Sequence, residues 1–107
     1  MTAKYWQKGE VLDYKAGTSV KNGDVVSLGT RIGVAGEDIP QGETGHLHVV
    51  GVFEMPKAAG AVTMGAALYY NATDGNITTT STSNVPAGYA AAPADSADET
   101  VLVKLLG

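Results

Sequence analysis

The feature that most constrains this chain is an internal repeat. The segment Gly9–Gly23, GEVLDYKAGTSVKNG, has a counterpart 42 positions later in Gly51–Gly65, GVFEMPKAAGAVTMG. The pairs that match at this offset are Gly9 with Gly51, Lys15 with Lys57, Ala16 with Ala58, Val20 with Val62, and Gly23 with Gly65. Two similar units that each leave one apolar sheet face bare can bury those faces against one another.

The later parts of the two units correspond at a larger offset. Ile32–Ala35 resembles Ala87–Ala90 at an offset of 55, and the Glu-Thr pairs at 43–44 and 99–100 match at 56. The growth from 42 to 55 indicates an insertion of 13 residues in the second unit. We expect it in the hairpin predicted over Tyr69–Thr80, which turns at an Asp-Gly dipeptide.

The pattern of apolar residues favours strands over helices. Gly accounts for 14 of the 107 residues, and no window of about 11 residues keeps a clean helical period. The longest predicted strand is His46–Phe53, which would run from the first unit into the second. We predict an all-β fold, a small β-barrel or sandwich built from two pseudo-repeated strand units, with little or no helix.

The first residues stand outside the repeat. Tyr5 and Trp6 are the large apolar side chains there, and Trp6 is the sole tryptophan. They form either an N-terminal strand tucked onto the core or an arm that docks on a neighbouring protein, since Tyr and Trp bury much area at small entropy cost. The predicted organisation is an N-terminal arm at 1–8 and a single β domain at 9–107, with pseudo-repeats at 9–50 and 51–107.

The residues needed for common catalytic and cofactor sites are missing. The chain has no cysteine, which excludes disulfides, thiolate zinc sites and cysteine nucleophiles. No serine lies in a Gly-x-Ser-x-Gly elbow, and no Gly-Lys-Ser or Gly-Lys-Thr forms a P-loop. The acidic turns lack the carboxylate spacing of calcium loops. We therefore predict no enzyme, no catalytic residues and no cofactor.

Two histidines leave one alternative open. His46 and His48 lie two residues apart, so a strand would place both imidazoles on one face. Metal sites use this spacing, but a third ligand would have to come from elsewhere, such as Glu54 or Asp13. The pair is either two half-exposed strand residues or part of a small metal- or ligand-binding β-barrel, and our prediction is that no metal binds.

Charge and hydropathy argue against two classes of partner. The formal net charge is −4, with no basic cluster that could neutralise phosphates, so we expect no nucleic-acid partner. No apolar run approaches the ~20 residues that span a bilayer, so we expect no membrane partner. Residues 1–8 also lack the apolar stretch of a secretory signal.

The chain resembles the bacteriophage capsid cement, or decoration, proteins of tailed phages and prophages. The resemblance runs from about Gln7 to Leu106 and is most specific at residues 52–58 and in the hairpin that follows. Members of that family are often labelled as RecA/RadA-type recombinases, a function that the absent nucleotide loop argues against here. The matching segments are QKGEVLDYKAG, VKNGDVVSLGTRIGVA, GVFEMPKAAGAVTMGAALYYNATDGNITTT and PAGYAAAPADSADETVLVKLL.

The resemblance implies a structural virion protein that binds the outer capsid surface and bridges coat subunits. Its expected partners are the major capsid protein and further copies of itself, as a dimer or trimer. The expected location is the capsid surface of the virion, after synthesis in the cytoplasm of the bacterial host. From exposed aromatics and loop position, the candidate protein-contact residues are Tyr5, Trp6, Met55 and Pro56.

Overall fold

Nine strands and no helix make up the part of the chain that the structure describes. This computed structural model describes residues 1–106. The strands are β1 Val11–Lys15, β2 Val25–Ser27, β3 Ile32–Ala35, β4 Thr44–His48, β5 Val52–Pro56, β6 Ala67–Asn71, β7 Asn76–Thr78, β8 Val85–Ala90 and β9 Thr100–Leu105. Residues 1–106 contain no helix that could cross a membrane.

The strands form two antiparallel sheets. The first sheet has the order β1-β4-β3-β2, and the second has the order β5-β9-β8-β6-β7. The all-β prediction is confirmed. Of the two predicted architectures, the molecule is sandwich-like and not a closed barrel.

The two sheets repeat one topology. The order β5-β9-β8-β6 in the second sheet matches β1-β4-β3-β2 in the first, and β7 is added at its edge. The loops correspond as well, because the backbone groups of Val20 and Ile39 exchange two hydrogen bonds of 2.9 and 2.8 Å, and those of Val62 and Ala94 exchange two of 2.8 Å. The extra strand lies within the predicted insertion.

The first strands of the two sheets align one residue away from the predicted match. Judged by their partners on β4 and β9, Val11 is equivalent to Val52, an offset of 41. Lys15 at the end of β1 is therefore equivalent to Pro56 at the end of β5, and its predicted match to Lys57 is wrong. The offset returns to 42 at the Val20 and Val62 bridges, so one extra residue lies in the loop after β5.

The predicted strand over His46–Phe53 is wrong, because it is divided between the two sheets. β4 ends at His48 and belongs to the first sheet, whereas β5 starts at Val52 and belongs to the second. Gly51 between them has a φ of 126°, a conformation that glycine adopts without the steric cost of a Cβ. The apolar run continues through this corner, so its pattern does not mark the change of sheet.

The main core lies between the sheets. Ile32 and Val34 of β3 pack against the second sheet's apolar face, whose largest buried residues include Leu68 and Ile77. A smaller cluster occupies the other side of the first sheet and consists of Val26, Leu47 and Val49, with Tyr14 and Val20 packed against it. The first sheet therefore has buried apolar side chains on both of its faces.

The second sheet is strongly curled. Its two outermost strands, β5 and β7, come together at one parallel bridge between Lys57 and Ile77, and the Ala58 amide donates to the Ile77 carbonyl over 2.8 Å. Pro56 closes the edge strand β5, a position where its missing amide proton costs no ladder bond. The molecule measures 44 × 33 × 22 Å, so it is much thinner in one direction than in the others.

Candidate interaction surfaces

The N-terminal residues form an exposed arm. Residues 1–8 contain no strand, and the side chains of Tyr5 and Trp6 are 78% and 86% exposed. At the base of the arm, the Gln7 side-chain amide donates to the Val11 carbonyl over 3.1 Å. The structure therefore does not show the tucked strand, and docking of the arm on a neighbouring protein stays a prediction.

Charge is divided unevenly between the arm and the β domain. The arm carries Lys4 and Lys8 and no acidic residue. The β domain, residues 9–107, carries the other five basic residues and all 11 acidic ones, a formal charge of −6. The arm and the domain are thus electrostatically complementary.

The second sheet leaves apolar side chains on the face turned away from the core. Along β9, Val101 and Val103 are buried while Leu102 between them is 40% exposed. Lys104 is the next residue of β9 on the same face as Leu102. It lies opposite Val52 of β5 and Tyr89 of β8, and the side chains of Val52 and Tyr89 are exposed. We call these four residues, Val52, Tyr89, Leu102 and Lys104, the outer face. Contiguous exposed apolar groups of this kind mark contact sites more often than scattered ones do.

The two residues predicted at the strand break differ in accessibility. The side chain of Met55 is 3% exposed and belongs to the main core, so it is not available for contact in this fold. Pro56 is exposed at the end of the edge strand. The alternation of β5 explains the difference, since Phe53 and Met55 point to the core face and Pro56 to the other face.

A groove of about 260 Å³ lies between the two sheets. We call it the inter-sheet groove. His48 and Phe53 form part of its wall, with ring centroids 5.9 Å apart and ring planes inclined by 42°. The other residues that line it are Asn22, Gly23, Val25, Val34, Ala35, Glu54 and Met55. Its lining is thus largely apolar and aromatic, and sequence patterns did not reveal it because it joins strands from both units.

The two histidines take part in separate contacts. His46 Nδ1 lies 3.0 Å from Glu37 Oε2, and the same oxygen accepts a hydrogen bond from the His46 backbone amide at 3.0 Å. His48 faces Phe53 instead. Within residues 1–106 no three His, Asp or Glu side chains are placed to hold a metal ion, so neither Asp13 nor Glu54 completes a site. The geometry gives the metal-binding alternative no support.

A polar cavity of about 450 Å³ lies beside the β6–β7 hairpin. Its walls carry hydroxyl and amide groups, among them those of Asn71, Thr78 and Asn84. Asn76 also lines it, and in the described residues its Oδ1 atom is buried without a hydrogen-bond partner. The threonine-rich sequence of this hairpin could have indicated a polar surface but not a cavity.

Comparison with known proteins gives one result. A family model described as phage cement protein matches residues 6–105. The match spans all nine strands, from Val11 to Leu105, together with Trp6 and the base of the arm. No curated protein and no solved structure matches the chain significantly.

Proposed function

The chain belongs to the phage cement protein family, and we propose on this basis that it binds the outer surface of a capsid and stabilises the shell by bridging coat subunits. Family membership implies a structural role in association with capsid components. The match over residues 6–105 is the observation that carries the proposal. The expected location is the surface of the virion, after synthesis in the cytoplasm of the bacterial host.

The shape of the molecule supports binding on a shell. A body 22 Å thick and 44 Å long can lie on a surface and touch more than one subunit. A shell also repeats the same site many times, so a multivalent ligand gains avidity without a large area at each contact. We therefore propose that the protein acts as a homo-oligomer, a dimer or trimer, on the major capsid protein, with no nucleic acid, membrane or cofactor involved.

The exposed apolar groups supply candidate contacts. We propose that the outer face and Pro56 lie against the shell, and that Tyr5 and Trp6 of the arm reach a neighbouring protein. Exposed aromatic groups are favoured for such contacts because they bury a large area on binding. Met55 is left out because its side chain is in the core.

Co-sedimentation with capsids that lack the protein tests the proposal. We expect saturable binding and a higher temperature of shell disruption, because bound copies bridge subunits and stabilise the assembled state. Absence of binding to the capsids of the source phage would overturn it.

A pair of matched variants tests the contact surface. Tyr89→Lys/Leu102→Lys places two charges on the outer face, and we expect it to weaken capsid binding at least about tenfold, since unpaired charges are costly in an interface. Leu28→Lys/Met64→Lys makes the same change at two other exposed apolar positions and serves as the control. Equal binding by both variants would exclude the outer face.

Deletion of residues 1–8 tests the arm. We expect weaker capsid binding, because the deletion removes both exposed aromatic groups that extend beyond the β domain. Unchanged binding would remove the arm from the proposed contacts and leave the outer face and Pro56.

A further inference from the structure

We propose that Trp6 of one copy docks in the inter-sheet groove of a second copy, so that copies associate by exchanging their N-terminal arms. The inference rests on the self-association part of the proposed function and names the contact that produces it. It requires no capsid, so it can be tested apart from shell binding.

The arm presents Trp6 together with two positive charges. Successive side chains of an extended segment point to opposite sides. An arm that binds its partner in extended form would therefore present Lys4, Trp6 and Lys8 on one side, and Tyr5 and Gln7 on the other. Trp6 is 86% exposed in the single chain, so a large apolar surface is available for burial against a partner.

The inter-sheet groove suits an indole ring in size and lining. An apolar cavity on the order of 150 Å³ accepts benzene, and this groove of about 260 Å³ has room for the two fused rings of indole. His48 and Phe53 place two aromatic rings in the groove wall, and contacts between aromatic rings contribute beyond the area that they bury.

Charge complementarity favours the arm as the occupant. The turn at Asn22-Gly23 borders the groove and is followed directly by Asp24. The carboxylate of Asp38 lies at the same turn, where it accepts a hydrogen bond of 2.8 Å from the Asn22 amide. Lysines on either side of Trp6 would lie near these acidic groups when the ring enters the groove. Two domains of formal charge −6 repel one another, and a basic segment between them offsets that repulsion.

A second copy fits better than the arm's own domain. Val11 lies opposite His48 in the β1–β4 register, and five extended residues span up to about 17 Å, so the same chain's groove is within reach of Trp6. The ring is nevertheless exposed, and the hydrogen bond from Gln7 to the Val11 carbonyl holds the base of the arm. Exchange leaves this base unchanged and buries the ring in a neighbour.

The sole tryptophan reports directly on the proposed contact. We expect its fluorescence emission to shift to shorter wavelength, and its quenching by iodide to fall, as the protein concentration rises and sedimentation shows association. Trp6→Ala should weaken the association, with at least a tenfold increase in the dissociation constant measured by sedimentation. Tyr5→Ala, on the opposite side of the arm, is the matched control and should retain it.

A groove variant tests the receiving side. Asn22→Arg places a long, positively charged side chain at an exposed residue of the groove lining, and we expect it to remain monomeric. The Asn22 side chain makes no hydrogen bond within residues 1–106, so the fold should persist, as circular dichroism can verify. Thr82→Arg changes the net charge equally at an exposed position outside the groove and should still associate.

Mixing the two defective variants separates exchange between copies from docking within a chain. Trp6→Ala retains the groove, and Asn22→Arg retains the arm, so their mixture should form a complex that neither forms alone. A blue-shifted emission that does not depend on concentration would overturn the proposal in favour of docking within the chain. Association that survives in both variants, or an exposed tryptophan at every concentration, would also overturn it. Capsid binding by the monomeric variants would leave the proposed function intact while the exchange is judged by these results alone.

Discussion

Gly88 sets the distance between β8 and β9. Its φ is 145°, and a Cβ at this position would collide with the carbonyl oxygen of Lys104 on the neighbouring strand. We expect Gly88→Ala to lower the free energy of unfolding by about 3 kcal/mol, because both the backbone conformation and the strand contact would be strained. Urea unfolding followed by circular dichroism measures this loss.

Gly17 provides the matched comparison. It has no neighbouring atom within 4 Å of an added Cβ, and its φ is outside the left-handed region. Gly17→Ala should therefore change the free energy of unfolding by no more than about 0.5 kcal/mol. If both substitutions have the same effect, close packing at Gly88 is not the constraint that we describe.

At the scale of single residues, the sequence predicted which residue types could form contacts better than it predicted which side chains are accessible. Tyr5 and Trp6 were predicted as contact residues from their residue types, and both side chains are exposed in the structure. Met55 was predicted as a contact because of its position at the predicted strand break, whereas its side chain belongs to the core. Its burial depends on which face of β5 meets the first sheet, and that information comes from packing, not from local sequence.

Buried and exposed side chains alternate along β9, so substitutions that affect stability can be separated from those that affect binding. Val103 is fully buried and Leu102 beside it is exposed. Val103→Ala should lower the free energy of unfolding by about 2 kcal/mol, since it leaves a cavity in the main core. Leu102→Ala should alter stability by less than about 0.5 kcal/mol while weakening capsid binding. Chemical denaturation measures the stability of the two variants, and co-sedimentation measures their capsid binding. A variant that lost stability and capsid binding together would contradict this division.

Individual elements were predictable where turns are marked in the sequence. Asn22-Gly23 and Asp74-Gly75 both turn the chain, with φ values of 90° and 69° at their glycines. The corner at Gly51 was missed, since an apolar run continues across it and one glycine in such a run is a weak signal. The groove and the outer face need the pairing of distant strands, which the sequence did not specify.

On the scale of the whole molecule, the two sheets are not independent. Ile32 and Val34 of the first sheet complete the core of the second, and the first sheet's own cluster has only three buried residues. We expect a fragment of residues 1–50 to be unfolded, because so short a chain with so small a core cannot offset its loss of entropy. Amide chemical-shift dispersion measures this, and a folded spectrum would contradict it.

The overall charge gives a further prediction for the intact protein. With a formal net charge of −4 and only two basic residues in the arm, the chain should not retain duplex DNA in a filter-binding assay, even at low salt. A lysine-rich protein of similar size is the positive control. Retention of DNA that falls as salt is added would revive a role in recombination.

The backbone bridge between Lys57 and Ile77 affects whether neighbouring copies can pair through their strand edges. Unpaired strand edges invite pairing with other chains and lead to fibrous aggregates. Here the curl brings the two open borders of the second sheet against each other, and a proline closes one of them. Copies held side by side at high local density, as on a phage particle, would therefore not extend the second sheet by adding strands to it, and the edges that stay open belong to β1 and β2 of the first sheet.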